Sequence, residues 1–285
     1  MVRVAYLGPE GTFSEDALHA AVGAASIEAL PAATVLEAVE AVASGAADRA
    51  LVPFENSTDG SVRPTLDALA FDAPEVEIVG EHDERITHRL IAARELSLDR
   101  ITRVISHPQP LAQCARFIRT ELPAATPRAA ASTAEAVREV SESNEPWAAL
   151  GTASAARIHG CRVLREQVED SPDNVTRFIW VAPKGMISEG EGPWKTSLSF
   201  SELGADHPGA LVEALTEFSS RKVNLTRIES RPLRKALGRY MFFVDIEGAA
   251  DADAVAAAIE ALRGKAENVR VLGSYPVGVR GIPGA

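Results

Sequence analysis

The chain has 285 residues, of which 46% are hydrophobic and 24% are charged, and its formal net charge is -11. This length fits two domains, and the composition is that of an ordinary globular protein. Nucleic acids and anionic membranes need a basic surface, so we expect neither as a partner. An anionic small molecule is still compatible with the chain, because a pocket can be locally positive on an acidic protein.

The only cysteines, Cys114 and Cys161, form no CxxC pair and have no histidine at ligand spacing. We therefore expect neither a disulfide framework nor a metal site. The first residues lack the apolar run of a signal peptide, and no apolar stretch is long enough to span a bilayer. We expect a cytoplasmic protein.

Strand and helix signals alternate over the first half of the chain. Ser14 is predicted to cap the first helix, Ser132 is predicted to cap the fourth, and Pro53 is predicted to stop the second strand. Predicted strands span 2–8, 49–56, 101–106, 126–131 and 147–152, and predicted helices span 14–23, 34–45 and 108–121, with another from 132. This alternation predicts an α/β domain with parallel sheets and helices on both faces.

The order of elements changes after a segment rich in Gly, Pro and Glu. Predicted strands span 196–204, 223–231, 239–247 and 268–275, and predicted helices span 207–221 and 251–264. This β-α-β-β-α-β order is the ferredoxin-like pattern of an α+β domain. We therefore divide the chain into a first domain 1–183, a linker 184–195, a second domain 196–277 and a tail 278–285.

Four polar segments adjoin predicted strands of the first domain. They are GPEGTFS (8–14), VPFENSTDGSV (52–62), SHPQPLAQCARF (106–117) and DNVTRF (173–178). Each has an ordinary structural explanation as a turn, a helix cap or a β-former. Ligands of open α/β sheets bind beyond the carboxyl ends of strands, so four such clusters together predict a binding site.

The side chains of these segments suit an oxygen-rich, anionic ligand. Helix starts offer N–H groups to anions, and Arg177 can bind a carboxylate through two hydrogen bonds. Strand alternation places Thr176 and Phe178 on one face and Arg177 on the other, so Arg177 reaches the same ligand only if the strand ends near it. Four polar side chains follow the second strand, Glu55, Asn56, Ser57 and Thr58, and the Asn and Ser among them can bind hydroxyl or carboxylate oxygens.

The third segment gives weaker signals. Ser106 is a candidate helix N-cap, and the Gln113 amide would reach solvent at a lower cost than the core. His107 is a weak candidate for a base, because a residue before proline is conformationally restricted.

Together, the four segments resemble the prephenate dehydratase family, in which the same motifs occur in this order and with approximately this spacing. Residues 207–232 resemble the regulatory ACT domain that follows the catalytic domain in these enzymes, with GAL and ESRP as its two signature segments. The resemblance covers nearly the whole chain. No chorismate mutase segment precedes the first motif, so we expect the monofunctional form.

The resemblance implies a two-lobed α/β catalytic domain, similar to type-two periplasmic binding proteins, with a cleft between the lobes. It implies decarboxylating dehydration of prephenate to phenylpyruvate, without a metal or an organic cofactor. Thr176 matches the essential threonine of the family, and Asn56, Ser106 and Gln113 match positions implicated in catalysis or substrate binding. The substrate-binding candidates are Thr12, Ser14, Glu55, Ser57, Arg177 and Phe178.

Aromatisation drives this reaction once the 4-hydroxyl of prephenate can leave, so the enzyme needs a proton donor at that oxygen and a grip on two carboxylates. Thr176 either protonates the departing oxygen, which is worth about 10²–10⁴-fold in rate, or only orients it. Threonine is a weak acid, so the first role requires that Asn56, Ser106 or Gln113 stabilise an alkoxide-like state.

For the second domain, the resemblance implies that L-phenylalanine binds between two ACT domains of a homodimer or homotetramer and inhibits the enzyme. The residues expected at this site are Gly209, Ala210, Leu211, Asn224, Glu229, Ser230, Arg231 and Pro232. Two other functions stay open. Arogenate dehydratase performs the same chemistry on a substrate with an amino group, and a non-catalytic amino-acid sensor would use the same domains without a reaction.

Overall fold

The structure is a computed structural model, and it describes residues 1–186, 188, 190–203, 207–235, 237–278 and 281–284. Parts of the predicted linker, of the predicted strand 196–204 and of the predicted tail lie outside these ranges. The described residues form three β-sheets. Nowhere in these ranges does a helix have the length and apolar character needed to cross a bilayer.

The regular elements alternate along the chain much as the sequence predicts. The strands are β1 Val2–Leu7, β2 Ile27–Ala32, β3 Arg49–Asn56, β4 Gly60–Ser61, β5 Val76–Arg85, β6 Arg89–Ala92, β7 Arg103–Ser106, β8 Thr126–Ala129, β9 Trp147–Gly151, β10 Arg162–Arg165, β11 Val175–Pro183, β12 Trp194–Ser201, β13 Leu225–Pro232, β14 Tyr240–Glu247 and β15 Asn268–Pro276. The α-helices are α1 Phe13–Val22, α2 Val35–Ala43, α3 Arg63–Asp67, α4 Pro108–Gln113, α5 Ala115–Glu121, α6 Thr133–Glu142, α7 Ala153–Ile158, α8 Ala210–Ser219 and α9 Asp253–Arg263.

Lobe 1 is built on a sheet with the strand order β2-β1-β3-β11-β5, to which β4 adds at β3. Strand β1 is parallel to β2 and β3, whereas β11 is antiparallel to both of its neighbours. Helix α1 buries Leu18, Ala21 and Val22 against one face of this sheet, at the three- and four-residue spacing of an amphipathic helix. Helix α2 covers the other face.

Lobe 2 is built on a sheet with the order β10-β6-β9-β7-β8. The chain enters this lobe between β5 and β6 and returns between β10 and β11, so two segments join the lobes. These segments are paired, because Ile86 N donates to Asn174 O at 2.8 Å and Val168 N donates to His88 O at 3.1 Å. The two-lobed α/β arrangement that the resemblance implied is confirmed.

The third sheet has the antiparallel order β13-β14-β12-β15, and α8 and α9 cover one of its faces. This is the predicted β-α-β-β-α-β fold. The opposite face packs on lobe 1, where Phe243 and Tyr275 share a core cluster with Ile179. Gly273 permits this contact, since a Cβ atom there would lie 2.0 Å from the carbonyl oxygen of Ile78. The C-terminal sheet and lobe 1 therefore share one core.

Two local predictions in lobe 1 were wrong. Thr12 rather than Ser14 caps α1, since Thr12 Oγ1 accepts from Glu15 N at 3.4 Å while Ser14 is buried in the first turn. Strand β3 continues through Pro53, because β1 pairs with β3 only as far as Leu51 and the pairing of Pro53 with Phe178 of β11 lies at an irregularity of the ladder, where proline is tolerated. Ser132 caps α6 as predicted.

The predicted helix 108–121 is two helices that meet at Cys114, where the backbone leaves helical geometry at φ -114° and ψ 18°. His107 caps the first of them, with Nδ1 accepting from Gln109 N at 3.4 Å. Ser106 is therefore not the cap; it ends β7. The predicted tail is attached to lobe 1 through Pro283, whose carbonyl accepts from Arg49 at 3.1 Å.

Candidate active site

Asn56 and Thr176 are brought together by the antiparallel pairing of β3 and β11, in which they lie directly opposite each other. Asn56 Nδ2 donates to Thr176 Oγ1 at 2.8 Å. Asn56 Oδ1 accepts from the backbone N–H groups of Thr58 and Asp59, at 2.9 and 3.0 Å, which fixes the orientation of the amide. Thr176 Oγ1 is thus an acceptor for Asn56, and its own proton is left for another partner.

The same network reaches lobe 2 through two more amides. Asn56 Nδ2 also donates to Asn174 Oδ1 at 2.7 Å, and Asn174 Nδ2 donates to Gln113 Oε1 at 3.1 Å. Gln113, at the end of α4, in turn donates to Asp59 Oδ2 at 2.5 Å. The Gln113 side chain is half-buried rather than turned into the core, and both ends of its amide have partners. These contacts tie the two lobes together beside Thr176.

His88 is a member of this network that sequence reasoning missed. Its side chain is buried, and Nε2 lies 2.8 Å from Gln113 Oε1. Burial lowers the pKa of the imidazole, while the hydrogen bond to Gln113 acts in the opposite direction. The ring of Phe13 meets it edge-on at 5.1 Å. A lone histidine outside the four polar segments gave no signal in the sequence.

Two cavities lie between the lobes, and Phe13, whose ring meets that of His88, is one of the residues that line both. The larger, of about 990 Å³, is lined by the starts of α1 and α6 and by Gln109, which also donates to Asp59 at 2.5 Å. The smaller, of about 650 Å³, is lined in part by Glu84, the residue opposite Thr176 on β5. Asn56 and Thr176 themselves are buried and line neither cavity; Gln109 and Glu84 are the lining residues that contact or pair with members of their network.

The other catalytic candidate lies deeper in the structure. Ser106 is fully buried in lobe 2, where its hydroxyl donates to Leu150 O at 2.8 Å. Ser57 bonds to the backbone of the returning segment, donating to Asp173 O at 3.2 Å and accepting from Val175 N at 3.0 Å. Both serines hold backbone in place rather than join the network of Thr176.

The remaining first-domain candidates divide between the cavity and the core. Thr12 and Ser14 line the larger cavity at the start of α1. Phe178 is buried under α1 with 2% of its surface exposed, so it supports the site from the core. Of the described residues, no group of three or more His, Cys, Asp or Glu is arranged to hold a metal ion.

Arg177 points away from Thr176, towards the C-terminal sheet. Its Nη2 lies 2.6 Å from Asp245 Oδ2 and 2.8 Å from Glu55 Oε2, and its Nη1 lies 3.2 Å from Glu81 Oε2. Burial by itself would lower the pKa of Arg177, but the charges of Asp245 and Glu81 outweigh burial and raise it. The predicted contact of Arg177 with a substrate carboxylate, and the predicted place of Glu55 among the substrate-binding residues, are therefore corrected, because these side chains bind each other on the opposite face of the sheet.

Two further cations complete this group. Lys195 Nζ lies 2.7 Å from both oxygens of Glu81, and Arg227 Nε lies 3.6 Å from Glu55 Oε1. The guanidinium groups of Arg177 and Arg227 lie 4.9 and 4.7 Å from the centroid of the Phe54 ring. We call the set the interdomain ion cluster; its members are Arg177, Lys195, Arg227, Glu55, Glu81 and Asp245.

The predicted effector residues surround the start of α8 and the edge strand β13. Gly209, at φ +97°, precedes α8 as its N-cap, and Leu211 packs against the core of the C-terminal domain. Asn224 is exposed just before β13. Arg231 departs from the prediction, because its guanidinium binds Asp67 of lobe 1 at 2.7 Å. The other predicted residues are Ala210, which begins α8, and Glu229, Ser230 and Pro232, which lie on β13.

Comparison with known families agrees with these observations. The sequence profile of the family described as prephenate dehydratase matches residues 4–186. The chain belongs to the prephenate dehydratase family. The profile of the ACT domain matches residues 202–264, within the region of the third sheet.

Similar proteins include the prephenate dehydratases of Mycobacterium sp. strain JLS and of Mycobacterium tuberculosis H37Rv. Each is 40% identical to this chain and covers 98% of it, and the matches span 90% and 88% of those proteins. Among solved structures, the prephenate dehydratase of Arthrobacter aurescens in complex with L-Phe is similar, with a TM-score of 0.88 and 41% identity over 96% of this chain and 90% of that one.

A second solved structure shows that a protein described by a different activity has a similar fold. It is described as GqqA, a novel type of quorum quenching acylase, and matches with a TM-score of 0.85 and 32% identity over 97% of this chain and 98% of that one. The fold alone therefore does not identify the reaction, and the side chains at the site must do so.

Proposed function

We propose that this member of the prephenate dehydratase family removes water and carbon dioxide from prephenate to give phenylpyruvate, in the synthesis of L-phenylalanine. The family match and the named relatives support the reaction. The observation at the site that supports it most directly is the hydrogen bond from Asn56 Nδ2 to Thr176 Oγ1 at 2.8 Å. The proposal places the enzyme in the cytoplasm, as the sequence led us to expect.

In the proposed mechanism, the bond between the ring and the departing carboxylate breaks, and its electron pair enters the ring. As the ring double bonds shift, the bond from C4 to its hydroxyl breaks and its electron pair leaves with the oxygen, so that the ring becomes aromatic. Thr176 donates its proton towards the departing oxygen, which leaves as water, and solvent returns a proton to Thr176. Asn56 stabilises the negative charge that develops on Oγ1, because its N–H already points at that atom.

The carboxylates of prephenate need positive partners, and the cavity offers them without a buried cation. The starts of α1 and α6 both line the larger cavity. The first N–H groups of a helix have no partner inside the helix and attract anions. Thr12 and Ser14 at the start of α1, and Ser132 and Thr133 at the start of α6, are the side chains that the proposal places beside the carboxylates.

The test is a direct assay of phenylpyruvate formation from prephenate with the full-length protein, alongside the Thr176→Val variant. Valine keeps the shape of threonine but removes the hydroxyl, so we expect turnover to fall by about 10²–10⁴-fold while the fold is retained. A correctly folded Thr176→Val enzyme with near-normal turnover would exclude the proton-donor role. A parallel assay with arogenate distinguishes the two related substrates.

The C-terminal domain is proposed to bind L-phenylalanine and to inhibit the reaction. Support comes from the ACT domain match and from the relative solved with L-Phe. Val212 on α8 and Ile228 on β13 expose 67% and 47% of their surfaces, which suits contact with a second copy of the domain. We propose a homodimer or homotetramer through this face, which light scattering tests, and an activity unaffected by added L-phenylalanine would contradict the regulation.

A further inference from the structure

Asn174 and His88 lie inside the network of Thr176, although neither was a candidate from the sequence. Each exposes only 1% of its surface. Asn174 lies on the segment that returns to lobe 1, and His88 lies on the segment that enters lobe 2. Both segments join the lobes, so the two side chains are placed where the cleft is held together.

The direction of every hydrogen bond in this network follows from its first member. The backbone N–H groups fix Asn56 Oδ1 as an acceptor, so Asn56 Nδ2 donates to Asn174 Oδ1. Asn174 Nδ2 must then donate to Gln113 Oε1, and Gln113 Nε2 must donate to the Asp59 carboxylate. An oxygen that already accepts from Asn174 needs a donor from His88, so His88 Nε2 carries a proton.

With the proton of His88 on Nε2, the other imidazole nitrogen, Nδ1, carries none when the ring is neutral. His88 Nδ1 is buried and has no hydrogen-bond partner among the described residues. A charged imidazole would bury an unpaired N–H at that atom, at a cost that favours the neutral ring. Burial also lowers the pKa of His88, against the charges of Glu169 and Asp59.

We propose that Asn174 and His88 are positioning residues for the dehydration, which act through Gln113 and Asn56 on the hydroxyl of Thr176. They hold the amides in one orientation, so that Asn56 donates to Thr176 Oγ1 and the Thr176 proton faces the substrate. This inference rests on the proposed function. Neither residue is assigned a contact with the reacting atoms.

Asn174→Asp tests the direction of the network with little change of shape. Aspartate still accepts from Asn56, but it cannot donate to Gln113 Oε1, so two acceptors face each other across 3.1 Å. We expect kcat for prephenate to fall tenfold or more, part of the roughly 10²–10⁴-fold that proton donation contributes, with KM nearly unchanged. The matched control is Asn144→Asp in an exposed loop, which should keep normal kinetics. An Asn174→Asp enzyme with wild-type kcat, or with a change in KM alone, would overturn the proposal.

His88 is tested by a pair of variants and by spectroscopy. Gln placed at 88 can present a donor near the position of Nε2, whereas Leu cannot, so His88→Gln should retain most of the kcat that His88→Leu loses. Nitrogen-15 NMR of labelled wild-type protein should show a protonated Nε2 and an unprotonated Nδ1. A protonated Nδ1 at neutral pH, or equal kcat in the two variants, would refute the role. The NMR experiment needs no substrate, so it separates failure of this inference from failure of the proposed reaction.

A second inference comes from the interdomain ion cluster, which is independent of this network. The side chains of Asn56 and Thr176 belong to the network that joins the lobes, while their chain neighbours Glu55 and Arg177 belong to the cluster. Asp245 of the C-terminal domain is 1% exposed and binds Arg177 at 2.6 Å. A shift of the C-terminal sheet would thus act on residues directly bonded to the two catalytic positions.

We infer that the cluster transmits the effect of L-phenylalanine to Thr176, on the assumption that the proposed regulation operates. Asp245→Asn removes one charge and keeps the shape. We expect normal uninhibited turnover and normal L-phenylalanine binding by calorimetry, but inhibition weakened by about 5- to 150-fold in effector concentration, the usual range of coupling between sites. Asp253→Asn, exposed at the start of α9, is the control. Unchanged inhibition in Asp245→Asn, or loss of L-phenylalanine binding itself, would refute the inference.

Discussion

Replacing Arg177 with methionine should destabilise the protein far more than an average substitution. The arginine side chain is only 11% exposed, and Asp245 and Glu81 beside it are 2% and 6% exposed. The cluster holds three cations and three carboxylates, so Arg177→Met leaves two cations against three. Removing one partner of a buried ion pair costs about 3–5 kcal/mol, because the remaining charge is left uncompensated.

This cost should be visible as a lower melting temperature. A change of 1 kcal/mol shifts melting by about 2–4 °C in domains of 150–250 residues, so Arg177→Met should melt about 6–20 °C lower. Calorimetry measures this shift. The control is Arg263→Met, which removes a surface pair between side chains that are 52% and 74% exposed and should cost no more than about 1 kcal/mol.

A double variant tests the charge balance of the interdomain ion cluster directly. Arg177→Met combined with Asp245→Asn restores the balance at two charges of each sign, so it should be less destabilised than Arg177→Met alone. If Arg177→Met melts within 2 °C of the wild type, or if the second substitution adds its full cost to the first, the reasoning about a balanced buried cluster is refuted.

Three further predictions concern Arg177, His88 and Gly273. Arg177→Lys should leave KM for prephenate unchanged, because the residue faces away from the cleft, and a raised KM in steady-state kinetics would restore the substrate contact expected from the sequence. The pKa of His88 is lowered in the folded state, so unfolding takes up a proton below about pH 6.5. The contribution of His88 to the free energy of unfolding is therefore complete above that pH and falls as the pH drops, by at most about 1.4 kcal/mol per pH unit. Denaturant titrations should show that His88→Leu removes this pH dependence. Gly273→Ala should destabilise the domain contact by about 1–3 kcal/mol or more, because its Cβ would lie 2.0 Å from Ile78 O. Gly264→Ala is the control, because the nearest atom to its Cβ lies at 3.3 Å, and calorimetric melting should show a much smaller loss of stability.

The alternation of strand and helix signals predicted both α/β lobes and the ferredoxin-like domain, because hydrophobic periodicity is local. Strand parity also predicted that Thr176 and Arg177 face opposite sides. The sequence could not reveal what Arg177 meets there, since Asp245 lies 68 residues further along the chain. A cation in a polar motif looked like a substrate ligand because its partners, Glu55, Glu81 and Asp245, come from three distant strands, one of them in another domain.

The hydrogen-bond network around Thr176 was predicted in part for a similar reason. Asn56 and Thr176 lie in motifs that the resemblance identified, and the structure pairs them across two strands. His88 lies in no such motif, and only the tertiary packing of the β5–β6 segment against the end of α4 places it beside Gln113. Ser106 matched a motif as well, yet its hydroxyl is used inside lobe 2. The motifs thus indicated which parts of the chain lie near the network, whereas the tertiary contacts determine what each side chain does there.

The register of strand β11 determines which of its side chains lie on each face of the sheet. Because side chains alternate along a strand, the deletion of one residue just before Thr176 would turn every following side chain to the opposite face. Arginine would then lie beside Asn56, and threonine would meet the carboxylates of the interdomain ion cluster. The alternation within these nine residues therefore holds the Asn56–Thr176 hydrogen bond on one face and the cluster on the other.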